Sequence, residues 1–475
     1  MGTIAVWFRK DLRLNDQTAL SQALQTLDKN DQILAVFHIH PALTENFSIR
    51  HDYFFQTLRT FVEACNKAGM PVHFINGSLE EGFTHLTSEV EDLEAIYFNE
   101  DEVGYGKKRD EEAMKWLDDH EVPYRTFIDH HIHGAGEIKK ADGDPYLVFT
   151  PYFKKWKTRK KPSIQKVDHQ KLKKQGADLT EAFKDGYDTY QKMLKKCTHD
   201  WKALGETCAM ERLKQFIDER IYDYEKKRDF PALNGTSRLS PYLKTGALSP
   251  RTIYHQIGEE VDHRKNLEGV DTFVSELAWR DFYSMVYHYH PDCKDKEIIE
   301  KYRGLDWNTD EAMFEKWKDG QTGFPLIDAA MTQLNERGWM HNRLRMATAS
   351  FLTKDLLMDW RKGERYFEEK LIDYDPASNI GGWQWAASTG TDAVPYFRVF
   401  NPVRQSERFD PKGAFIKRYL PALEKVPEAY IHEPWKMSDE EQREAECIIG
   451  EDYPKPMVDH KTMRKRAIEM FKGES

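Results

Sequence analysis

Residues 372–405 read IDYDPASNIGGWQWAASTGTDAVPYFRVFNPVRQ. Asp373, Asp375, Ser378, Asn379, Thr389 and Thr391 supply hydrogen-bonding groups, and Trp383 and Trp385 supply flat apolar walls. Gly381 and Gly382 leave bare backbone that another molecule can approach closely. A large, flat, polar-edged ligand asks for that mixture. A Gly-rich loop beside a buried aromatic cluster asks for it equally, and the stretch taken alone leaves both readings open.

Three further groupings carry chemistry. Residues 235–240, GTSRLS, follow Asn234 and precede Pro241. Small residues, hydroxyls and an arginine at a loop-to-helix junction make a phosphate cradle of backbone N–H and side-chain O–H donors, or an ordinary hydroxyl cap followed by proline. Residues 276–283, ELAWRDFY, place Glu276 and Arg280 four apart on a helix with Trp279 between them. Such a trio can hold a base and its phosphate, or be a surface ion pair beside a core tryptophan. Residues 339–346, WMHNRLRM, offer Asn342 to a base edge or a flavin edge. Arg343 and Arg345 stand about 200° apart on a helix, so Arg343 is expected to face phosphate and Arg345 a carboxylate such as Asp373.

The composition bounds what these groups can serve. A chain of 475 residues holds two or three domains with real cores. Hydrophobic residues at 40% and charged residues at 32% are ordinary, no apolar run is long enough to span a bilayer, and MGTIAVWFRK is not a signal peptide. A cytoplasmic protein is expected. The five cysteines form no CxxC, so neither disulfides nor zinc are indicated. His130, His131 and His133 lack a second ligand cluster and read as surface or linker histidines, with no metal. The net charge of −10 argues weakly against nucleic acid, because charge on one face decides. Arginines recur near the aromatic motifs, while KKWKTRKK at 154–161 reads as a solvated linker.

Stepping toward the amino terminus, short apolar runs at 4–8, 33–38, 72–75, 95–98 and 125–128 alternate with amphipathic segments. That βαβ rhythm predicts a parallel sheet with helices on both faces. GxGxxG is absent after the first strand, and Arg9, Arg13, His38 and His40 fall near the carboxyl ends of strands, where such sheets bind ligands. The spacing predicts an α/β domain over 1–130, an interdomain linker over 131–200 and an all-helical domain over 201–475, with one helix running 343–361.

Taken together, WFRKDLRLND, RDFPALNGTSRLSPYLKTGALSP, ELAWRDFY, GQTGFPLIDAAMTQLNERGWMHNRLRM and SNIGGWQWAASTGTDAVPYFRVFNP closely resemble, in order, the signature blocks of the photolyase/cryptochrome family. The likeness is to its class I cyclobutane pyrimidine dimer photolyases of bacterial type, end to end apart from the linker and tail. The resemblance implies a Rossmann-like antenna domain followed by a helical domain that buries FAD. It implies that Tyr224 and Thr236, Ser237, Arg238, Leu239 and Ser240 hold the phosphates. Arg345, Asp373, Tyr374, Asp375 and Asn379 would line the rest of the cofactor, Asn379 at flavin N5.

The implied reaction is light-driven repair, in which excited reduced FAD passes an electron to a pyrimidine dimer flipped out of DNA. Trp279 and Trp385 would pack on the dimer beside Met346, with Glu276 and Asn342 bonded to its bases. Glu276, desolvated there, is expected to donate a hydrogen bond to the dimer. Trp383, Trp360 and Trp307 match the family's electron relay. Arg228, Arg280, Arg343 and Gln405 match its DNA surface, which implies damaged DNA, single- or double-stranded, as the partner of a monomer. A second, antenna chromophore is implied, methenyltetrahydrofolate or a deazaflavin. DEVGYG at 101–106 departs from the folate branch and looks closer to the deazaflavin-type branch or to one whose antenna is undefined. The alternative is a cryptochrome-like blue-light receptor without repair activity. Such receptors often carry a long C-terminal extension, whereas this chain ends soon after Phe471.

Overall fold

The computed structural model describes residues 2–473. Five strands, β1 (Thr3–Phe8), β2 (Gln32–Ile39), β3 (Val72–Asn76), β4 (Leu93–Asn99) and β5 (Tyr124–Phe127), form one parallel sheet in the order β3-β2-β1-β4-β5. Helices α1 (Thr18–Thr26), α2 (Ile49–Lys67), α3 (Leu79–Glu89) and α4 (Gly104–Asp119) make the crossovers. Right-handed crossovers that reverse direction after β3 must put α1 and α2 on one face and α3 and α4 on the other. The two cores show it. Ile4, Val6 and Phe8 of β1 pack with Leu20, Phe55, Leu58 and Phe61, while Ala5 and Trp7 pack with Phe83, Leu86, Ala113 and Leu117. Period-two alternation in IAVWF thus feeds both cores.

The helices α5 (Phe149–Thr158), α6 (His169–Gln175) and α7 (Lys184–Lys196) lie within the stretch expected to be a linker. Gly176 bridges to Ile33 of β2, and the Tyr190 ring of α7 stacks on Phe74 of β3 with centroids 4.4 Å apart. A few apolar residues on a lysine-rich helix are enough to seat it on the sheet. The three histidines depart from expectation as well, since all are buried. The Asp281 carboxylate accepts from the backbone N–H of Ile132 and His133 and from Trp156 Nε1, which draws their loop inward. His131 Nδ1 then lies 3.2 Å from Glu102 and His133 Nδ1 3.3 Å from Glu137.

The chain continues through α8 (Gly205–Glu219), α9 (Tyr224–Lys227), α10 (Ser240–Thr245), α11 (Pro250–Glu260) and α12 (Glu268–Tyr289). After these come α13 (Glu311–Lys318), α14 (Pro325–Arg337), α15 (Asn342–Ser350), α16 (Trp360–Lys370), α17 (Pro376–Ala387), α18 (Pro402–Phe409), α19 (Ala414–Tyr419), α20 (Asp439–Glu444) and α21 (His460–Lys472). Two compact units result, one of residues 1–145, 150–222 and 237–288, the other of 146–149, 223–236 and 289–475. Among the described residues no helix is long and apolar enough to cross a membrane.

One helical expectation needs correction, and one reading left open is decided. The helix expected over 343–361 is broken: α15 widens into a π turn at Phe351–Asp355, Leu357 takes a left-handed φ of 54°, and Asp359 caps a new helix by accepting from Arg361 N at 2.9 Å. The stretch around Gly381 and Gly382 is helix α17, not a loop; Asp375 accepts from Ser378 N as its cap and Pro376 opens its first turn.

Candidate functional site

Within the second unit, α15 and α16 both pack on α17. Ala377, Ile380, Trp383, Gln384 and Ala386 of α17 are buried, whereas Ser378, Asn379, Gly382 and Trp385, three or four residues apart, leave a face open. A Cβ built on Gly382 would meet nothing within 4 Å. Asn379 Nδ2 donates to Glu364 Oε1 at 3.0 Å and to the Glu364 carbonyl at 3.3 Å. Tyr374 Oη donates to the same Glu364 oxygen at 3.1 Å. With its amide nitrogen so used, Asn379 keeps its carbonyl oxygen as an acceptor. Burial pushes the Glu364 carboxyl above its ordinary range, and the Asn379 and Tyr374 hydrogen bonds work against that shift.

Arg345 Nη2 donates to both Asp373 oxygens, at 3.0 and 2.8 Å, and its Nε donates to the Met340 carbonyl at 2.8 Å. The guanidinium is therefore fixed in direction. Arg343 points elsewhere, as helical spacing requires, but to a carboxylate: Nη2 donates to Asp229 Oδ2 at 2.8 Å, and the guanidinium covers the Phe409 ring at 4.3 Å. Asn342 is exposed, and its Nδ2 lies 3.9 Å from Met346 Sδ. Arg228 lies 5.8 Å from the centroid of the buried Tyr224 ring. Gln405 of α18 keeps a buried Oε1 with no partner. The Trp385 and Phe400 rings meet edge to face.

Trp383, Trp360 and Trp307 are graded in burial. The first two are buried and Trp307 is half-buried. The Trp383 ring lies so close over Gly363, one turn after Trp360, that any side chain there would collide with it. Asn308, next to Trp307, bridges to Met358, two residues before Trp360. Trp360 Nε1 donates to Glu297 Oε1 at 3.2 Å, whereas Trp307 Nε1 is buried with no partner.

Gly235 packs on the Lys227 carbonyl, 2.5 Å from where a Cβ would stand, so only glycine fits that turn. In the next residues Thr236 and Ser237 are half-buried, Arg238 takes a left-handed φ of 53° and Leu239 is right-handed at −89°, −9°. Alternation of that kind turns successive N–H groups to one side, the geometry of an anion nest. Ser240 is exposed.

In the first unit, Glu276, Trp279 and Arg280 are half-buried on α12. Trp279 packs on Phe282 and Tyr283 at 5.5 and 5.4 Å, and Arg280 Nη1 donates to the His130 carbonyl. At the carboxyl ends of the strands, Arg9 pairs with Asp110, Arg13 pairs with Asp129, and His38 Nε2 lies 2.9 Å from the Gly77 carbonyl. His40 caps the next turn by accepting from Ala42 N. Tyr105 is 62% exposed beside His40.

In the second unit, an open helix face with a directed amide and a fixed guanidinium suits a large planar cofactor; the nest around Arg238, taken by itself, suits a phosphate; and comparisons with known proteins name the class. Residues 273–473 match the FAD binding domain of DNA photolyase, and residues 4–171 match DNA photolyase. The chain is 49% identical over 99% of its length, and over 98% of the relative, to the deoxyribodipyrimidine photo-lyase of Alkalihalophilus pseudofirmus. Its fold is similar to a bacterial class III photolyase from Agrobacterium tumefaciens, with TM-score 0.85, 31% identity and coverage of 100% and 98%. It is similar also to an archaeal photolyase from Sulfolobus tokodaii with two FAD molecules, with TM-score 0.84, 31% identity and coverage of 99% and 100%. The chain belongs to the DNA photolyase family.

Sequence reasoning missed Glu364. GERYFEEK reads as an exposed charged helix, and only the packing of α16 on α17 buries this carboxylate beneath Asn379.

Proposed function

We propose that this chain repairs cyclobutane pyrimidine dimers in DNA under blue light. The observation that carries the proposal is the Asn379 amide, its nitrogen held by Glu364 and its carbonyl oxygen kept free to accept, in a chain alike end to end with a deoxyribodipyrimidine photo-lyase.

Bound FAD supplies the excited electron that opens the cyclobutane ring. The protein positions it and keeps water out. The Asn379 carbonyl accepts a hydrogen bond at flavin N5 without being an acid, which suits a reduced cofactor at neutral pH. Arg345, held on Asp373, presents a fixed positive charge near the flavin. Tyr374 steadies Glu364, and Asp375 holds the start of α17. Tyr224 and the backbone of Thr236, Ser237, Arg238, Leu239 and Ser240 hold the phosphates.

Trp279 and Trp385 pack against the flipped dimer beside Met346, while Asn342 and Glu276 hydrogen-bond its bases. Arg228, Arg280, Arg343 and Gln405 meet the DNA backbone, so binding is indifferent to sequence and the distortion at the lesion lowers the cost of flipping. Trp307, Trp360 and Trp383 carry electrons inward from the surface. The enzyme works as a cytoplasmic monomer. A second chromophore, methenyltetrahydrofolate or a deazaflavin, sits in the 1–130 domain, with Glu102 and Tyr105 near its loop. The likeness to a structure with two FAD molecules supports a second chromophore.

The test is survival of an ultraviolet-irradiated bacterium that lacks photorepair and carries this chain. Blue light should raise survival over a dark control. Equal survival in light and dark would contradict the proposal.

A further inference from the structure

Lys354 is 0% exposed, and its Nζ has no hydrogen-bond partner among the described residues. It lies in the π turn Phe351–Asp355, an element frequent at functional sites. Its head group sits over the Phe471 ring of α21, 3.3 Å from the centroid. The edge of that ring meets Trp307, with centroids 6.1 Å apart. Around them are Tyr302, Leu357, Met463 and Met470, an apolar cluster. Burial moves the Lys354 amine well below its usual range. The titratable neighbours are Asp355 on the same turn and His460 on α21. They bond to each other at 2.5 Å, and Asp355 is pushed up to about 6 by burial. His460 also lines an open cavity of about 600 Å³ with Arg404, Glu433 and Lys461.

We propose that the charge on the Lys354 head group gates electron flow through Trp307. The inference rests on the relay assigned above to Trp307, Trp360 and Trp383. In one relay event Trp307 is oxidised by one electron, which moves inward through Trp360 and Trp383. A thiol in solution returns one electron to Trp307. Between the two events Trp307 is an indole cation, and its buried N–H has no acceptor to take the proton. A neutral amine leaves that cation undisturbed. An ammonium at most about 9 Å from that ring opposes it at least about twentyfold at an effective dielectric of 20.

The test uses oxidised, FAD-loaded protein with a thiol and follows the transient indole-cation absorption and flavin reduction after a flash. As pH is lowered across the range in which the protein stays folded, the wild-type yield should fall. Lys354→Met, of similar shape and no charge, should hold the high-pH yield throughout. Asp355 and His460 remain in that variant, so a fall that survives in Lys354→Met belongs to them and overturns the gate. So does a wild-type yield level with pH. Trp307→Phe separates the premises: if it photoreduces like wild type, the relay itself is wrong and the gate falls with it. Without cofactor, urea unfolding gives a second readout. A neutral buried lysine makes wild-type stability rise with pH toward the unfolded lysine value of about 10.4, because the unfolded chain binds the extra proton. Lys354→Met should lose that rise and be the more stable protein at pH 7. Equal slopes in the two proteins would contradict a neutral Lys354.

Discussion

Asn379 Nδ2 donates to Glu364 Oε1 at 3.0 Å, and that bond, with the 3.3 Å bond to the Glu364 carbonyl, turns the amide oxygen away from Glu364. Without the side-chain acceptor, the longer 3.3 Å bond to the Glu364 backbone carbonyl is what remains among the described contacts to orient the amide. Glu364→Met should keep bound FAD but let Asn379 turn its N–H outward more often than in the wild type. The loss of a charged hydrogen bond, about 1.5–3 kcal/mol, bounds the effect at roughly ten- to a hundredfold. Air oxidation of the reduced enzyme should quicken toward that range, as measured by flavin absorbance. An unchanged rate would show that Glu364 does not set the amide.

Asp373 is buried with Arg345 as its ion-pair partner. Arg345→Met strands that carboxylate, a loss of about 3–5 kcal/mol. FAD content after purification should drop sharply. The double variant Arg345→Met with Asp373→Leu removes the stranded charge and should recover thermal stability but not FAD content. Recovery of both would mean that the pair is structural only.

Arg343 is held by Asp229 at 2.8 Å and must share or leave it to meet a phosphate. Asp229→Asn should therefore tighten binding of lesion DNA a few-fold. Arg343→Ala should weaken it and lower the salt slope by about one. Titrations at three salt concentrations read both. Equal slopes in wild type and Arg343→Ala would remove Arg343 from the DNA surface.

Asp129 is buried between Arg13 and Arg251. Burial alone would raise its carboxyl, but the two guanidinium groups outweigh burial and hold it well below the usual range. A depressed carboxyl stabilises the fold above the unfolded value of about 3.9 and stops doing so as pH falls through its folded value. Asp129→Asn should cost about 3–5 kcal/mol at pH 7 in urea unfolding, with the gap from wild type narrowing below about pH 4. A gap that stays constant with pH would mean the charge contributes nothing.

Much of this was legible because it is local. IAVWF and its four counterparts announce the parallel sheet, and the spacing of Arg343 and Arg345 placed one of them on Asp373. What escaped depends on distant packing. The Gly381-Gly382 pair hid α17, although Asp375 and Pro376 carry the signals of a helix start. Lysines masked the apolar face that seats α7 on β3. Glu364 and Lys354 look like surface charges until neighbouring helices cover them.

The central claim is light-driven dimer repair. Purified protein with its FAD photoreduced should be given an oligonucleotide holding one thymine dimer, under blue light and in the dark. The account predicts return of intact thymines in the light and none in the dark. FAD that photoreduces normally while the dimer persists in the light would contradict it.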